Sequence, residues 1–187
     1  MSFDPSVLPP DLPVPIDDGA CDHLMGVNLP DLDLPSTSGS LVNLRRLPGR
    51  SVVFCYPRTG RPGEDPPAGW DQIPGARGCT PESCGFRDNF PALQGLDVSV
   101  YGLSTQDTGY QREVVDRLHL PYEVLSDHDL RFATALRLPM FQIAGMTLIK
   151  RLTLVVDAGA VARVFYPVFP PDGHASEVVA TLSGAAG

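Results

Sequence analysis

Gly78-Cys79-Thr80-Pro81-Glu82-Ser83-Cys84-Gly85-Phe86-Arg87-Asp88 sets two thiols five positions apart where a loop gives way to a helix. Pro81 suits a first helical position, and Glu82 favours the positive end of the helix dipole. A thiol at such a start loses its proton more readily than a free one. Two of them this close are a layout for redox chemistry. The pattern predicts a helix from Pro81 to Leu93, with Phe86, Phe90 and Leu93 on one buried face.

Working outward, Ser51 to Tyr56 is continuously apolar and β-branched, as in a strand covered on both faces. Val98 to Leu103 reads the same way. Thr108 to Leu118 is a helix that Asp107 is suited to cap. Tyr122 to Leu125 is a short strand, and Asp129 to Leu136 is a helix ending before Pro139. Arg151 to Val156 and Val161 to Tyr166 are strands joined at Asp157-Ala158-Gly159-Ala160, and Ala175 to Leu182 closes the chain with a helix. Residues 1–20 read as an extended arm. Residues 21–44 hold short apolar runs with room for a small hairpin, and 58–78 is a long proline-rich loop carrying Trp70, which is expected to pin that loop on the core. Strand–helix–strand units followed by a late hairpin define an α/β architecture: a central mixed sheet with helices on both sides. That order matches a thioredoxin-like fold. The expected organisation is an arm over 1–20 and one domain over 21–187.

The 187 residues, 43% of them apolar, suffice for one packed domain. A net charge of −8 argues against nucleic acid, which needs a basic face. The N-terminus lacks the basic-then-apolar order of a secretory signal, and no apolar run approaches a membrane span, so a cytoplasmic protein is expected. Four cysteines in a reducing compartment do not make a disulfide framework. Zinc is not expected: the gap between Cys79 and Cys84 is loose for a structural site, and no second ligand pair stands at standard spacing. Cys55 and Cys21 read as small buried residues. His119, His128 and His174 read as surface residues.

The run from Gly78 to Asp88 resembles the active-site signature of the Q-type peroxiredoxins, also called bacterioferritin comigratory proteins. The resemblance extends in order through Tyr101-Gly102-Leu103-Ser104-Thr105, Leu120-Pro121-Tyr122-Glu123-Val124-Leu125-Ser126-Asp127 and Arg151-Leu152-Thr153-Leu154-Val155-Val156-Asp157, and covers roughly residues 20–182. It implies a thiol peroxidase acting on hydrogen peroxide and organic hydroperoxides. Cys79 would be the peroxidatic cysteine and Cys84 the resolving one within the same chain. Arg151 would steady the thiolate and the peroxide oxygen, and Glu82 would orient that arginine. A thioredoxin-like dithiol protein would recycle the disulfide, with no bound cofactor and with a monomer or weak homodimer as the working form. One departure concerns the family's Pro-x-x-x-Thr-x-x-Cys loop. Ala76 stands three before Cys79, and Pro57 lies 22 residues before it, where the motif needs seven. The loop therefore carries about 15 extra residues. Thr59 folding back, or a backbone group, is expected to replace the missing threonine.

Only a thiolate attacks a peroxide usefully. A helix start plus Arg151 is expected to lower the Cys79 pKa by roughly one to three units. Residues five apart in a helix are separated by about 7.5 Å along its axis, whereas a disulfide needs Cα atoms within about 7 Å. Either the helix begins at Pro81 and leaves Cys79 in the loop, or its first turn unwinds in each cycle. Other readings of the same residues are a dithiol–disulfide oxidoreductase, a non-enzymatic redox sensor, and a one-cysteine peroxidase with Cys84 inert.

Overall fold

The computed structural model describes residues 4–184. Five strands form the central sheet: β3 (Arg50–Cys55), β4 (Val98–Ser104), β5 (Glu123–Ser126), β8 (Leu152–Asp157) and β9 (Ala160–Phe165). Two small hairpins, β1 (Leu34–Pro35) with β2 (Leu41–Val42) and β6 (Met140–Ile143) with β7 (Met146–Ile149), lie outside it. The sheet order is β5-β4-β3-β8-β9. β3 runs parallel to β4, β4 runs parallel to β5, and β8 pairs antiparallel with both β3 and β9. This is a thioredoxin-like fold, as the order of elements predicts.

β3 is central because every residue from Ser51 to Cys55 is buried, and its alternation builds two cores. Val53 and Cys55 pack with Leu29, Leu103, Leu154 and, from the helix α4 (Arg131–Leu136), Phe132 and Leu136. Val52 and Phe54 face the other way, onto Phe86 of α1 (Cys79–Asp88), Leu93 of α2 (Phe90–Gly95), Val114 of α3 (Thr108–Leu118) and Val178 of α5 (His174–Gly184). The Phe54 and Phe86 rings stack at 4.3 Å, which fixes α1 against the sheet.

The helix predicted over residues 81–93 is two helices. It starts at Cys79 and breaks at Asn89, whose φ of −94° and ψ of 1° leave the helical region. Phe86 and Leu93 are buried as expected, while Phe90 is half-buried. The β6–β7 hairpin went unpredicted; it turns on Ala144-Gly145, both at positive φ. Trp70 packs on it, its ring 6.2 Å from that of Phe141, so the long loop rests on an added hairpin. His119 and His128 are exposed. His174 corrects the surface reading: it is 1% exposed, with Nε2 2.8 Å from the Thr153 hydroxyl and its ring edge-on to Phe86 and Phe165. Burial lowers its pKa, against the opposing pull of Glu177. Cys21 and Cys55 are buried in the core, and burial pushes the Cys21 thiol up to about 12.

The β8–β9 turn uses Ala158 at φ 47° and Gly159 at φ 82°, the geometry of a two-residue mirror-type turn. A Cβ on Gly159 would collide with the carbonyl oxygen of Arg45. Gly159→Ala is therefore expected to destabilise by about 2 kcal/mol or more, combining positive-φ strain with a backbone clash. Ala158→Asn is expected to be neutral or to stabilise by a few tenths of a kcal/mol, because asparagine tolerates that conformation. Urea midpoints of the two variants check both signs.

Candidate active site

α1 begins at Cys79, capped by Gly78 at φ 105°. A Cβ there would collide with Pro171 and sit 3.1 Å from Leu8, so the approach to the thiol requires glycine. Pro81 lies inside the first turn, where a missing N–H costs nothing. Of the two alternatives for the helix start, the structure takes the one in which an intact helix carries both cysteines. Cys79 is 3% exposed, Cys84 is half-buried, and both are free thiols.

Arg151, the residue before β8, reaches under this helix. Its Nη2 stands 3.1 Å from Cys79 Sγ and also donates to the carbonyls of Ala76 and Arg77, at 3.3 and 3.1 Å. Its Nε donates to the Gly75 carbonyl at 3.3 Å, and its Nη1 pairs with Glu82 Oε2. The two side chains are 1% and 0% exposed. The structure thus brings Cys79, Glu82 and Arg151 together, with Cys84 farther along the same helix.

Thr59 is not brought to the sulfur by its hydroxyl. It is fully buried, and its Oγ1 donates to Gln106 Oε1 at 3.1 Å while Gln106 Nε2 donates back to the Thr59 carbonyl at 3.2 Å. The neighbouring backbone does approach the thiol: the Arg58 N–H favours the Cys79 anion. The chain leaving β3 through Pro57 thus borders the site directly at Arg58.

The long loop helps to line a narrow cavity that Cys79 borders. Gly60, Pro66, Pro67 and Trp70 line it together with Arg58, Tyr110, Cys79 and Thr80. Its free space is about 30 Å³, on the scale of one water-sized molecule. Arg61 lies 4.3 Å above the Tyr110 ring, and Arg58 Nη2 donates to the Tyr110 hydroxyl at 3.4 Å, so two guanidinium groups border the mouth. The arm is joined to this wall. Arg77 Nη2 donates to the carbonyls of Asp4 and Val7, at 3.2 and 3.0 Å, and Nη1 pairs with Asp71 at 3.2 Å.

The electrostatics correct one expectation. Burial raises the Cys79 pKa; Arg151 and the Arg58 N–H oppose this, while the Glu82 carboxylate adds to it. The thiol donates to the Ala76 carbonyl at 3.6 Å, a contact that suits the protonated form. Helix start and arginine are in place, but in the closed site desolvation outweighs them. Glu82 is itself pushed up to about 7 by burial, against the pull of Arg151, and its Oε1 has no hydrogen-bond partner among the described residues. Cys84 is raised by burial, partly offset by Arg87.

Sequence reasoning did not find Arg58, Thr80 or Tyr110 in the site. Thr80 had a visible signal in its place beside Cys79, and Arg58 had one in following Pro57 at the end of a buried strand. Tyr110 had none. Among the described residues no cluster of three His, Cys, Asp or Glu side chains is placed to hold a metal ion, and no helix is long and apolar enough to cross a membrane.

A buried thiol at a helix start, touched by an arginine and followed by a second thiol on the same helix, defines a cysteine-based redox protein of the thioredoxin fold. The comparisons narrow the class. The Redoxin family matches residues 24–182, and the chain belongs to that family. "Peroxiredoxin bcp1" of Schizosaccharomyces pombe is 33% identical over 127 residues, which cover 66% of this chain and 57% of that protein. "Putative peroxiredoxin bcp" of Coxiella burnetii is 28% identical over 165 residues, covering 84% and 97%. The crystal structure of peroxidoxin BcpB from Mycobacterium tuberculosis superposes with a TM-score of 0.68 at 27% identity, covering 86% of this chain and 96% of that one.

Because Glu82 raises the Cys79 pKa, Glu82→Gln is expected to lower the pH midpoint of Cys79 alkylation. The same change is expected to slow reaction with peroxide by about 10-fold, since Arg151 loses its anchor. An unchanged or raised midpoint would remove Glu82 from the electrostatics of the thiol. Stability should follow the same group. A carboxyl raised from 4.5 to about 7 favours the folded state most fully below 4.5, and that contribution is lost as pH rises through about 7. The unfolding free energy of wild type relative to Glu82→Gln is therefore expected to fall between these pH values, as read by urea titration.

Proposed function

We propose that this chain is a thiol peroxidase that reduces hydrogen peroxide and organic hydroperoxides through Cys79 and resolves within the same subunit through Cys84. The observation that carries the reading is the Arg151 guanidinium, 3.1 Å from the Cys79 sulfur and clamped on its other side by Glu82. Arginine stays charged and offers several fixed donors, so one group faces both the sulfur and an oxygen that gains charge. The family and the named relatives support the same chemistry.

In the first step the Cys79 thiolate attacks the terminal oxygen of ROOH. An S–O bond forms as the O–O bond breaks, and the departing alkoxide takes a proton to leave as ROH. Sulfur is oxidised to the sulfenic acid and the peroxide is reduced. In the second step the Cys84 sulfur attacks the sulfenic sulfur, and water departs as the disulfide forms. A dithiol protein of the thioredoxin kind then reduces the disulfide and takes up the oxidising equivalents.

The second step requires α1 to open. Its first turn is held by Glu82 N–H to the Gly78 carbonyl at 3.0 Å, by Ser83 Oγ to the Cys79 carbonyl at 2.8 Å, and by the Glu82–Arg151 pair. All three must be released before the cysteines meet. Cys84, being half-buried, is the thiol a reductant protein reaches first. Both cysteines lie on one helix, so the cycle needs no second subunit, and a monomer or weak homodimer serves it. Dithiol recycling and two free core cysteines suit a reducing cytoplasmic setting.

The test is NADPH consumption coupled through thioredoxin and its reductase. Wild type is expected to turn over peroxide continuously and Cys79→Ser not at all. Cys84→Ser is expected to react once, hold a sulfenic acid that a dimedone-type probe captures, and then stop. Undiminished peroxide turnover by Cys79→Ser would overturn the proposal.

A further inference from the structure

The site lacks the hydroxyl that the resemblance to Q-type peroxiredoxins leads one to expect before the reactive cysteine. Ala76 fills that position and is buried among Trp70 and Leu148. The Thr59 hydroxyl, the other candidate, is committed to Gln106. A peroxide bound over Cys79 still presents two oxygens and at least one proton that need partners, because polar atoms withdrawn from water into a closed pocket are costly when unpaired.

One residue on the cavity wall carries a hydroxyl with no other occupation. Thr80 is 2% exposed and borders the cavity together with Cys79, Gly78 and Arg58. Its Oγ1 is buried and without a hydrogen-bond partner among the described residues. Threonine at this point of a helix ordinarily bonds a nearby backbone group, as Ser83 does to the Cys79 carbonyl at 2.8 Å. An unpaired buried hydroxyl on the residue next to the reacting cysteine calls for an explanation, and a partner that arrives with the substrate supplies one.

We infer that Thr80 Oγ1 is a catalytic residue for the peroxidase reaction proposed above, and that it bonds the peroxide itself. A hydroxyl both accepts and donates. In the bound complex it accepts from the O–H of the peroxide's terminal oxygen, keeping that oxygen over Cys79 Sγ. As the O–O bond breaks it donates to the departing oxygen and steadies the charge there alongside Arg151. It moves no electrons and keeps its own proton at the end of the step.

The test uses the full chain and three variants, Thr80→Val, Thr80→Ala and Thr80→Ser. Two rates are read on fully reduced protein at one pH: single-turnover reaction with hydrogen peroxide, and alkylation of Cys79 by iodoacetamide, located by peptide mass. Alkylation reports the thiolate without calling on a peroxide-binding hydroxyl. Thr80→Val and Thr80→Ala are expected to slow the peroxide reaction by about 10- to 100-fold, the range for loss of one aligned donor. Alkylation is expected to stay within about 2-fold, and Thr80→Ser to recover most of the peroxide rate. Having both a near-isosteric and a truncated variant keeps the test valid if one of them fails to fold. An unchanged peroxide rate in the hydroxyl-free variants overturns the inference, and so does an equal fall in both rates, which would place the hydroxyl on the thiol instead. A wild type inert to peroxide would overturn the underlying peroxidase reading too, an outcome distinct from either of these.

Discussion

The buried pair between Arg151 and Glu82 is the constraint on which the site depends. Both groups have left water entirely, and charges of that kind persist only when each satisfies the other and the remaining donors find acceptors. Arg151 meets that condition by gathering the carbonyls of Gly75, Ala76 and Arg77 as well as Glu82 and the sulfur. One side chain thereby ties the end of the long loop to the first turn of α1. Removing Glu82 leaves the Arg151 charge buried without its carboxylate, a cost of about 3–5 kcal/mol in comparable sites. The position of the sulfur is a by-product of that requirement.

The same helix combines a firm half with a yielding one. From Phe86 onward it is locked by the ring stacked on Phe54 and by the packing of α5 against it. Before Phe86 it is held chiefly by polar bonds made by Glu82, Ser83 and Arg151. Polar bonds are individually worth about 1 kcal/mol net and can be exchanged for water, whereas a buried ring cannot. Local opening follows the weakest packing, so the first turn can come apart while the remainder stays docked. Cys79 and Cys84 both lie in the yielding half.

Much of this was legible in the chain. The buried strand Ser51–Tyr56, the cap at Asp107 and the late hairpin follow from local patterning, and the structure places them within a residue or two. Glu82 and Arg151 lie 69 residues apart, and their meeting was accessible only through the family resemblance. What escaped had physical reasons. The β6–β7 hairpin turns on Ala144-Gly145, where alanine occupies a positive φ that sequence patterns assign to Asn or Asp. His174 opens a helix after a proline-rich stretch and looks solvent-facing, yet Thr153 and two aromatic rings draw it inside. The Cys79 pKa was misjudged in sign because charge partners can be read from a sequence while the depth of burial cannot. Thr59 is expected to fold back to the sulfur, but Gln106 holds its hydroxyl instead.

The arm that Arg77 grips through the carbonyls of Asp4 and Val7 also brings Pro5 to the rim of the reactive cavity and Leu8 against Gly78. Residues 4–8 are thus a working part of the enclosure. Loosening residues 4–8 would therefore reach the wall beside the sulfur from 70 or more residues away in the chain.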